Sequence, residues 1–196
     1  MRSPSGEVNM AHNFGPAYQG ETVLFGASRP GYNGKNVSLA EVREWIHFMQ
    51  GKGIERIACL LPENQLFYYQ DNLLETYRQE FGADNVFHAP IEDFHLSSPE
   101  NLTRVLIFLR ESETLSRKTV VHCSAGIGRT GLVLASWLVH ARGLRPEDAI
   151  EAIQQAKPRR NPLEALATPG VTRSDVINLI RVCVRTQGDS SDDPGL

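Results

Sequence analysis

The sequence predicts an α/β domain with a central, mostly parallel, twisted sheet of about four to five strands flanked by helices. Two observations lead to this prediction. Short runs of β-branched and apolar residues recur along the chain, and between them lie segments whose apolar residues repeat every three or four positions. Strands that alternate with helices in this way are typical of parallel sheets covered on both faces. At 196 residues, the chain is long enough to bury the core of one such domain.

The predicted elements follow one another in chain order. Apolar, β-rich runs bounded by Gly, Pro or polar residues predict strands, and amphipathic periodicity predicts helices. The predicted strands are 22–25, 57–61, a short strand within 85–91, and 118–122. The predicted helices are one that starts after Ser38, where Glu41 completes a capping box, then 66–81, one that starts at 98–99, 130–142, 146–156 and 172–185.

The chain is predicted to hold one folded domain, residues 21–186. Residues 1–20 are predicted to be an N-terminal arm. This arm is either a docking segment or a disordered one, and the sequence leaves both interpretations open. Residues 187–196 carry three aspartates, two serines and a Pro-Gly pair, which predicts a disordered tail.

Composition and charge argue against several classes of protein. The net charge of −3 leaves no broad basic face, so nucleic acid is not expected as a partner. No apolar run is long enough to span a bilayer, and no secretory signal is expected. The three cysteines are widely spaced and odd in number, which argues against a disulfide framework and predicts a cytoplasmic location. A monomer is expected by default.

The segment 121–131 reads Val-His-Cys-Ser-Ala-Gly-Ile-Gly-Arg-Thr-Gly and lies between a predicted strand and a predicted helix. Its glycines allow successive N–H groups to form an anion nest, and Arg129 adds a planar fork that matches two phosphate oxygens. Surroundings of this kind lower the pKa of a cysteine from about 8.5 to roughly 3.5–7.5. The dipole of the following helix supplies only about 0.3–2 kcal/mol of this effect. Arg129, the amides and His122 are therefore expected to share in stabilising a Cys123 thiolate.

Two nucleotide-binding motifs compete for the same segment. Gly-Ile-Gly-Arg-Thr-Gly matches the dinucleotide fingerprint G-x-G-x-x-G. That fingerprint needs a second strand that ends in an acidic residue roughly 20 positions on, whereas residues 144–148 start another helix. A Walker loop is excluded because no Gly-Lys-Ser/Thr follows the glycines. No cofactor is therefore predicted, and no metal is predicted because Cys-x-x-Cys and His-x-x-x-His pairs are absent from the sequence.

The run from His122 to Thr130 resembles the His-Cys-x5-Arg-Ser/Thr signature of the cysteine-dependent protein tyrosine phosphatase superfamily. The order of elements is similar to the small dual-specificity branch, and the Asn-Arg-Tyr run of the larger tyrosine-specific members is absent. The resemblance implies a protein-tyrosine-phosphatase-like fold with residues 21–186 as the catalytic domain. It implies that Cys123 is the nucleophile, that Arg129 grips the phosphoryl group, and that Thr130 assists breakdown of a phosphocysteine. The phosphate-binding residues that it implies are Ser124, Ala125, Gly126, Ile127, Gly128 and Arg129.

Cleavage of a phosphate ester needs a proton for the leaving oxygen. In the family that the chain resembles, this proton comes from an aspartate on a loop that follows a strand and precedes the nucleophile. Asp93 lies thirty residues before Cys123, in the run Pro-Ile-Glu-Asp-Phe-His after a predicted strand. We therefore expect Asp93 to be the general acid. Glu92 is a weaker candidate, and His95 is expected to be an ordinary loop residue.

Two further residues have more than one interpretation. Cys59 lies in the predicted strand beside that of Cys123. Some family members form a reversible disulfide between a cysteine at this place and the nucleophile, but a small buried apolar residue is the plainer interpretation. Asn161, in the basic loop 157–162, is a candidate to position the hydrolytic water, as glutamine does in longer members. An ordinary solvated loop explains Asn161 equally well.

The loop interior bears on the substrate. Ser124, Ala125 and Ile127 add no charge, whereas phosphoinositide-directed relatives tend to carry lysines there. This favours a phosphorylated protein as substrate, with phosphotyrosine first and phosphoserine or phosphothreonine second. Two alternatives stay open: a phosphatase of the same fold that acts on a phosphoinositide, sugar or RNA, and a phosphate-binding module without catalysis.

Overall fold

Five strands form one sheet at the centre of the computed structural model, which describes residues 11–185. The strands are β1 Gly15–Pro16, β2 Leu24–Ser28, β3 Arg56–Cys59, β4 Val86–His88 and β5 Thr119–Cys123. Their order across the sheet is β1-β2-β5-β3-β4, and every neighbouring pair except β1 and β2 is parallel. The predicted α/β class with a mostly parallel sheet is confirmed.

The antiparallel edge strand β1 was not predicted. Its two residues, Gly and Pro, pair with Phe25 and Gly26 of β2. Gly and Pro are depleted in strands, so no sequence pattern marks this pairing. Residues 11–20, which the sequence analysis assigned to the N-terminal arm, thus include a strand of the sheet.

Seven α-helices accompany these strands within the described residues. They are α1 Leu39–Gly51, α2 Glu63–Leu66, α3 Leu73–Phe81, α4 Pro99–Thr114, α5 Gly128–Arg142, α6 Pro146–Gln155 and α7 Arg173–Arg185. The predicted capping box is present at α1, because the N–H of Ser38 donates to the Glu41 carboxylate at 2.9 Å and the Ser38 hydroxyl accepts from the Glu41 N–H. Helix α4 begins after Ser98, whose hydroxyl accepts from the N–H of Asn101.

One predicted helix differs from the structure. The stripe over 66–81 is interrupted, since α2 ends at Leu66 and α3 starts only after Asn72. The Asn72 side chain caps α3 by accepting from the N–H of Glu75 at 3.0 Å. The cap overrides the apolar periodicity, and the chain between the two helices forms a turn.

Each face of the sheet has its own apolar core. Helices α4 to α7 contribute to one core, together with Ala58 and Val121 of the sheet. Helices α1 and α3 contribute to the other, together with Ile57 and Val120. Successive strand residues point to opposite faces, so neighbours along β3 and β5 belong to different cores. Helix α5 is buried along most of its length, from Gly128 to Val139.

The carboxyl ends of the parallel strands meet at one edge of the sheet, where ligands of such folds bind. Ser28 at the end of β2 pairs in register with Cys123 at the end of β5. Cys59 at the end of β3 pairs with His122. The loop that carries Asp93 leaves β4 at the same edge, so the topology brings the predicted site residues together.

Between residues 11 and 185, no helix combines the length and the apolar composition that crossing a membrane requires. The first ten residues and the predicted tail 187–196 lie outside the described residues.

We expect Leu134→Ala to destabilise the protein. Leu134 lies in α5 with a fully buried side chain. Truncating a buried leucine costs about 2–5 kcal/mol, through lost apolar burial and the cavity that remains. The free energy of unfolding, measured by urea titration, checks this. Ile107→Ala on α4 is the control, because Ile107 is 50% exposed and should change stability by at most about 0.5 kcal/mol. Equal losses in the two variants would contradict the central position of α5.

Candidate active site

The loop between β5 and α5 turns sharply at Gly126. Its φ is +73°, a conformation that residues with a side chain rarely adopt. A Cβ at this position would also lie 2.4 Å from the carbonyl carbon and oxygen of Ala27 in β2. Both constraints require glycine, and together they hold the loop tightly against β2.

Three carbonyl groups of the loop accept hydrogen bonds from residues that lie outside the loop. The backbone N–H of Arg29 donates to the carbonyl of Ser124 at 3.0 Å. The Asn13 side-chain amide donates to the carbonyls of Ala125 at 3.0 Å and Gly126 at 3.4 Å. A trans peptide points the N–H of the following residue in the opposite direction. The next three N–H groups therefore face away from these donors, as in an anion nest.

Cys123 lies where this loop begins, at the last position of β5. Its thiol is free, and the residue is only 2% exposed. Helix α5 starts at Gly128, at the other end of the loop. The loop amides and the positive end of the helix dipole both favour an anion at this point.

Arg129, in the first turn of α5, is held by three partners. Its Nη2 pairs with Asp93 Oδ1 at 2.9 Å. Its Nη1 donates to Gln65 Oε1 at 3.0 Å and to the carbonyl of Ile91 at 3.1 Å. Its Nε is buried and has no partner among the described residues. The predicted phosphate-gripping arginine therefore keeps an unpaired donor beside the loop.

Asp93 lies beside Arg129, and the Asp93 side chain is 41% exposed. Gln65 also reaches it, because the Gln65 Nε2 donates to Asp93 Oδ2 at 3.2 Å. The next residue, Phe94, has a φ of +61°, which is unusual for a bulky side chain and is typical of functional loops. The carbonyl of Phe94 accepts a 2.6 Å bond from the Thr168 hydroxyl. The structure thus brings the predicted acid together with the predicted arginine.

His122 lies fully buried on the other face of β5. Its Nε2 is 3.3 Å from the Tyr77 hydroxyl, and its ring makes edge contacts with Trp45 and Tyr77. Burial, together with the nearby charges of Arg29 and Arg129, lowers the pKa of His122 to about 3. The imidazole is therefore neutral near pH 7. It packs against Trp45 and Tyr77 and can orient β5, but it adds no positive charge beside Cys123 at this pH.

The predicted catalytic residue Thr130 and the predicted supporting residue Asn161 have different surroundings. The Thr130 hydroxyl is buried and has no hydrogen-bond partner within residues 11–185. The Asn161 side-chain oxygen accepts from Gln154 Nε2 at 3.4 Å and from the N–H of Leu163 at 3.3 Å. The backbone N–H of Asn161 donates to the carbonyl of Ile127 at 3.3 Å. Asn161 thus braces the loop through its backbone while its side-chain oxygen caps a turn.

Glu164 is a site residue that the sequence analysis missed. Its carboxylate packs so closely on Gly128 that a Cβ at that glycine would overlap it. Burial raises the pKa of Glu164, and the neighbouring Asp93 raises it further, while Arg129 opposes both effects. A second carboxyl group therefore borders the pocket that Phe94 and Arg129 line. No motif marks it, since a lone glutamate in a loop carries no signal.

Two more arginines are buried near the loop. Arg29 donates to carbonyls of the 30–34 turn and, through Nε, to the Ser124 hydroxyl at 3.3 Å. Arg160 is fully buried against Gly26 and donates to the carbonyl of Pro158 at 2.7 Å. Burial lowers the pKa of Arg160 to about 10, so it stays charged near pH 7. The basic loop of the sequence analysis therefore holds one arginine that is structural.

Cys59 and Cys123 occupy different faces of the sheet. Cys59 belongs to the core formed with α1 and α3, whereas Cys123 belongs to the core formed with α5. Burial raises the pKa of Cys59 to about 12, so its thiol is a poor nucleophile at neutral pH. A disulfide between the two would require one strand end to rearrange.

A thiol at the base of an anion-binding loop, with an arginine and a carboxylate beside it, is the arrangement of a cysteine-based phosphatase. The family model of the dual specificity phosphatase catalytic domain matches residues 43–167, more than half of the chain. The chain therefore belongs to the dual specificity phosphatase family, and the resemblance found in the sequence is confirmed.

The relatives carry names that refer to different substrates and partners. A 50-residue stretch is 40% identical to the RNA/RNP complex-1-interacting phosphatase of Bos taurus, and it covers 26% of this chain and 15% of that protein. A 62-residue stretch is 31% identical to the phosphatidylglycerophosphate phosphatase PTPMT1 of Arabidopsis thaliana, and it covers 32% and 18%. The chain thus spans less than a fifth of either relative.

One solved structure illustrates the shared fold. Tk-PTP in its active form superposes with a TM-score of 0.61 at 20% sequence identity, over 84% of this chain and 92% of that one. The predicted protein-tyrosine-phosphatase-like fold is confirmed.

We expect His122 to make the protein less stable in acid. Its pKa is about 3 in the fold against an ordinary 6.5, so between these values the unfolded chain binds the extra proton. The free energy of unfolding then falls as pH falls, by up to about 1.4 kcal/mol per pH unit from this residue. His122→Asn should show a shallower fall between about pH 6.5 and pH 4 in urea titrations. The exposed His47→Asn is the control, and if both variants keep the parent slope, His122 is not buried in its neutral form.

Proposed function

We propose that this protein hydrolyses phosphate esters on protein side chains, phosphotyrosine first, through a phosphocysteine intermediate. The observation that carries the proposal is the 2.9 Å pair between Arg129 and Asp93 beside the loop of Cys123. These residues supply a nucleophile, a group that grips phosphate and a proton donor within one site. A module that only binds phosphate has no need of the acid.

The first step transfers the phosphoryl group to the protein. The Cys123 thiolate attacks phosphorus, so an S–P bond forms while the bond to the leaving oxygen breaks. Asp93 donates its proton to that oxygen, which departs as the tyrosine hydroxyl. Arg129 and the loop amides stabilise the charge on the three equatorial oxygens in the transition state.

The second step restores the enzyme. Water attacks phosphorus, the S–P bond breaks, and inorganic phosphate leaves. Asp93, now a carboxylate, accepts a proton from the attacking water. We propose that the Thr130 hydroxyl stabilises the departing Cys123 thiolate and that Asn161 helps to place the water. The unpaired Thr130 hydroxyl supports the first of these roles.

The surroundings of the loop support a singly phosphorylated substrate. Ser124, Ala125 and Ile127 add no charge inside it. The nearby Arg29 is buried, and its Nη groups donate to backbone carbonyls, so it offers little to a second phosphate. Phe94, 49% exposed, borders the pocket and provides an apolar surface for an aromatic ring.

A non-protein phosphate is the second candidate substrate. The names of the relatives favour it, because one refers to RNA and another to phosphatidylglycerophosphate. Either substrate would use the same cysteine, arginine and acid. Phosphotyrosine peptide, phosphoserine peptide, 5′-phosphorylated RNA and phosphatidylglycerophosphate, compared at equal concentration, distinguish the candidates through kcat/KM.

We propose that the protein acts as a monomer in the cytoplasm. The free thiols of Cys59 and Cys123 support a reducing compartment. Size-exclusion chromatography with light scattering tests the oligomeric state.

We expect Cys123→Ser to abolish phosphate release from a phosphotyrosine peptide, because the serine hydroxyl is a far weaker nucleophile. Asp93→Ala should lower kcat by about 10²–10⁴-fold, since the leaving oxygen departs without a proton. Arg129→Lys should lower kcat/KM by about 10²-fold or more, because an ammonium cannot form the planar fork. Steady-state phosphate release measures all three.

Asp84→Ala is the matched control for the acid, because Asp84 is exposed near the start of β4, at the opposite edge of the sheet. It should keep the activity of the parent. Full activity in Cys123→Ser would overturn the mechanism. Loss of activity in Cys123→Ser with parent-like turnover in Asp93→Ala would reject the acid assignment alone.

We expect mild peroxide to oxidise Cys123 without linking it to Cys59, because the two residues belong to the cores on opposite faces of the sheet. Peptide mapping by mass spectrometry checks this, and Cys59→Ala should lose activity in peroxide at the rate of the parent. A peptide in which Cys59 and Cys123 are joined would show instead that Cys59 is a redox partner of the nucleophile.

A further inference from the structure

We infer that Gln65 is a positioning residue that fixes the acid-bearing loop to the phosphate-gripping arginine before substrate arrives. The inference rests on the proposed function, and it assigns a role to a residue that no sequence motif marks. Gln65 lies in α2, the first helix after the strand β3, and is 7% exposed.

The side-chain amide of Gln65 bonds to both catalytic partners at once. Its Oε1 accepts from Arg129 Nη1 at 3.0 Å, and its Nε2 donates to Asp93 Oδ2 at 3.2 Å. The orientation of the amide follows from chemistry, because a guanidinium only donates and a carboxylate only accepts. Together with the direct pair of Arg129 and Asp93, the three side chains form a closed ring of hydrogen bonds.

A neutral amide suits this position better than a charged group. A carboxylate in place of Gln65 would bind Arg129 but repel Asp93. An aliphatic side chain would leave Arg129 Nη1 with the Ile91 carbonyl as its one remaining partner among the described residues. Glutamine can hold the cation and the anion without changing the net charge of the site.

Helix α2 meets the acid-bearing loop at a second point. The Asn64 side-chain amide donates to Glu92 Oε2 at 3.4 Å, one residue before Asp93. The turn itself is fixed by the N–H of Gln65, which donates to the Pro62 carbonyl at 2.9 Å. Two neighbouring residues of α2, Asn64 and Gln65, therefore bind two neighbouring residues of the loop, Glu92 and Asp93.

The ring has a consequence for catalysis. When a phosphate enters, Arg129 Nη2 and the unpaired Nε are the donors available to its oxygens. Nη1 can stay with Gln65, which keeps the guanidinium plane in place while Asp93 is released toward the leaving oxygen. Loss of Gln65 should then slow the proton transfer from Asp93 more than the other parts of the reaction, because the acid-bearing loop and Arg129 lose the side chain that binds both.

The test compares Gln65→Leu and Gln65→Glu with Gln79→Leu, a control on the exposed surface of α3. The substrates are phenyl phosphate, whose leaving group needs a proton, and p-nitrophenyl phosphate, whose leaving group hardly does. We expect Gln65→Leu to lower kcat/KM for phenyl phosphate by about 10²-fold, the scale of a misplaced catalytic group, and to lower it much less for p-nitrophenyl phosphate.

The same comparison in the Asp93→Ala background shows whether Gln65 acts through the acid or independently of it. Because the acid is then absent, Gln65→Leu should no longer change the ratio of the two kcat/KM values. Gln65→Glu keeps an acceptor for Arg129 but repels Asp93, so it should retain phosphate inhibition close to the parent while it loses phenyl phosphate turnover. It also serves as the second variant if Gln65→Leu does not fold.

Three results would overturn the inference. They are activity of Gln65→Leu within twofold of the parent on both substrates, an equal loss on both substrates accompanied by a lower unfolding midpoint in urea, and a Gln65→Leu effect on the substrate ratio that persists in Asp93→Ala. Failure of the proposed function looks different, because the parent protein would then release no phosphate from either substrate.

Discussion

The loop after β5 must point its N–H groups to one side, and the surrounding structure depends on this constraint. Each peptide of the loop can offer an N–H to an anion only if its carbonyl finds a partner on the opposite side. Asn13 and the backbone of Arg29 supply those partners. Gly126 permits the turn, and β2 packs directly behind it. The short strand β1 follows Asn13 closely and so ties the N-terminal segment to the site.

Buried positive charge is concentrated around this loop. Burying an ion costs several kcal/mol unless hydrogen bonds or an opposite charge compensate it. Arg29 and Arg160 are compensated mainly by backbone carbonyls, so their charges remain available to favour an anion. Of the three arginines buried near this loop, Arg129 is the one paired with a carboxylate among the described residues, and in the proposed mechanism it is the one that binds the phosphate. In the proposed mechanism, the Asp93 carboxylate compensates the Arg129 charge until the phosphate of the substrate binds.

The elements with strong local signals were predictable, and those without them were not. Capping residues such as Ser38 and the β-branched run of β5 determine their elements through neighbours in the chain. The strand β1 and the split between α2 and α3 depend on pairing and capping partners that periodicity does not show. In the site, Cys123, Arg129 and Asp93 come from spacing and a known signature. Gln65 was missed because its role exists only through distant partners.

The sequence by itself determined the family and the α/β class and predicted the reactive groups, since the signature residues lie in one short run whose chemistry is local. Tertiary structure alone decided how those groups meet. Burial makes His122 neutral near pH 7, and the alternation of side chains along β3 and β5 separates Cys59 from Cys123. Gln65 joins an acid and an arginine that lie far apart in the chain. Desolvation and long-range hydrogen bonding depend on which segments pack together, and a linear pattern of residues does not contain that information.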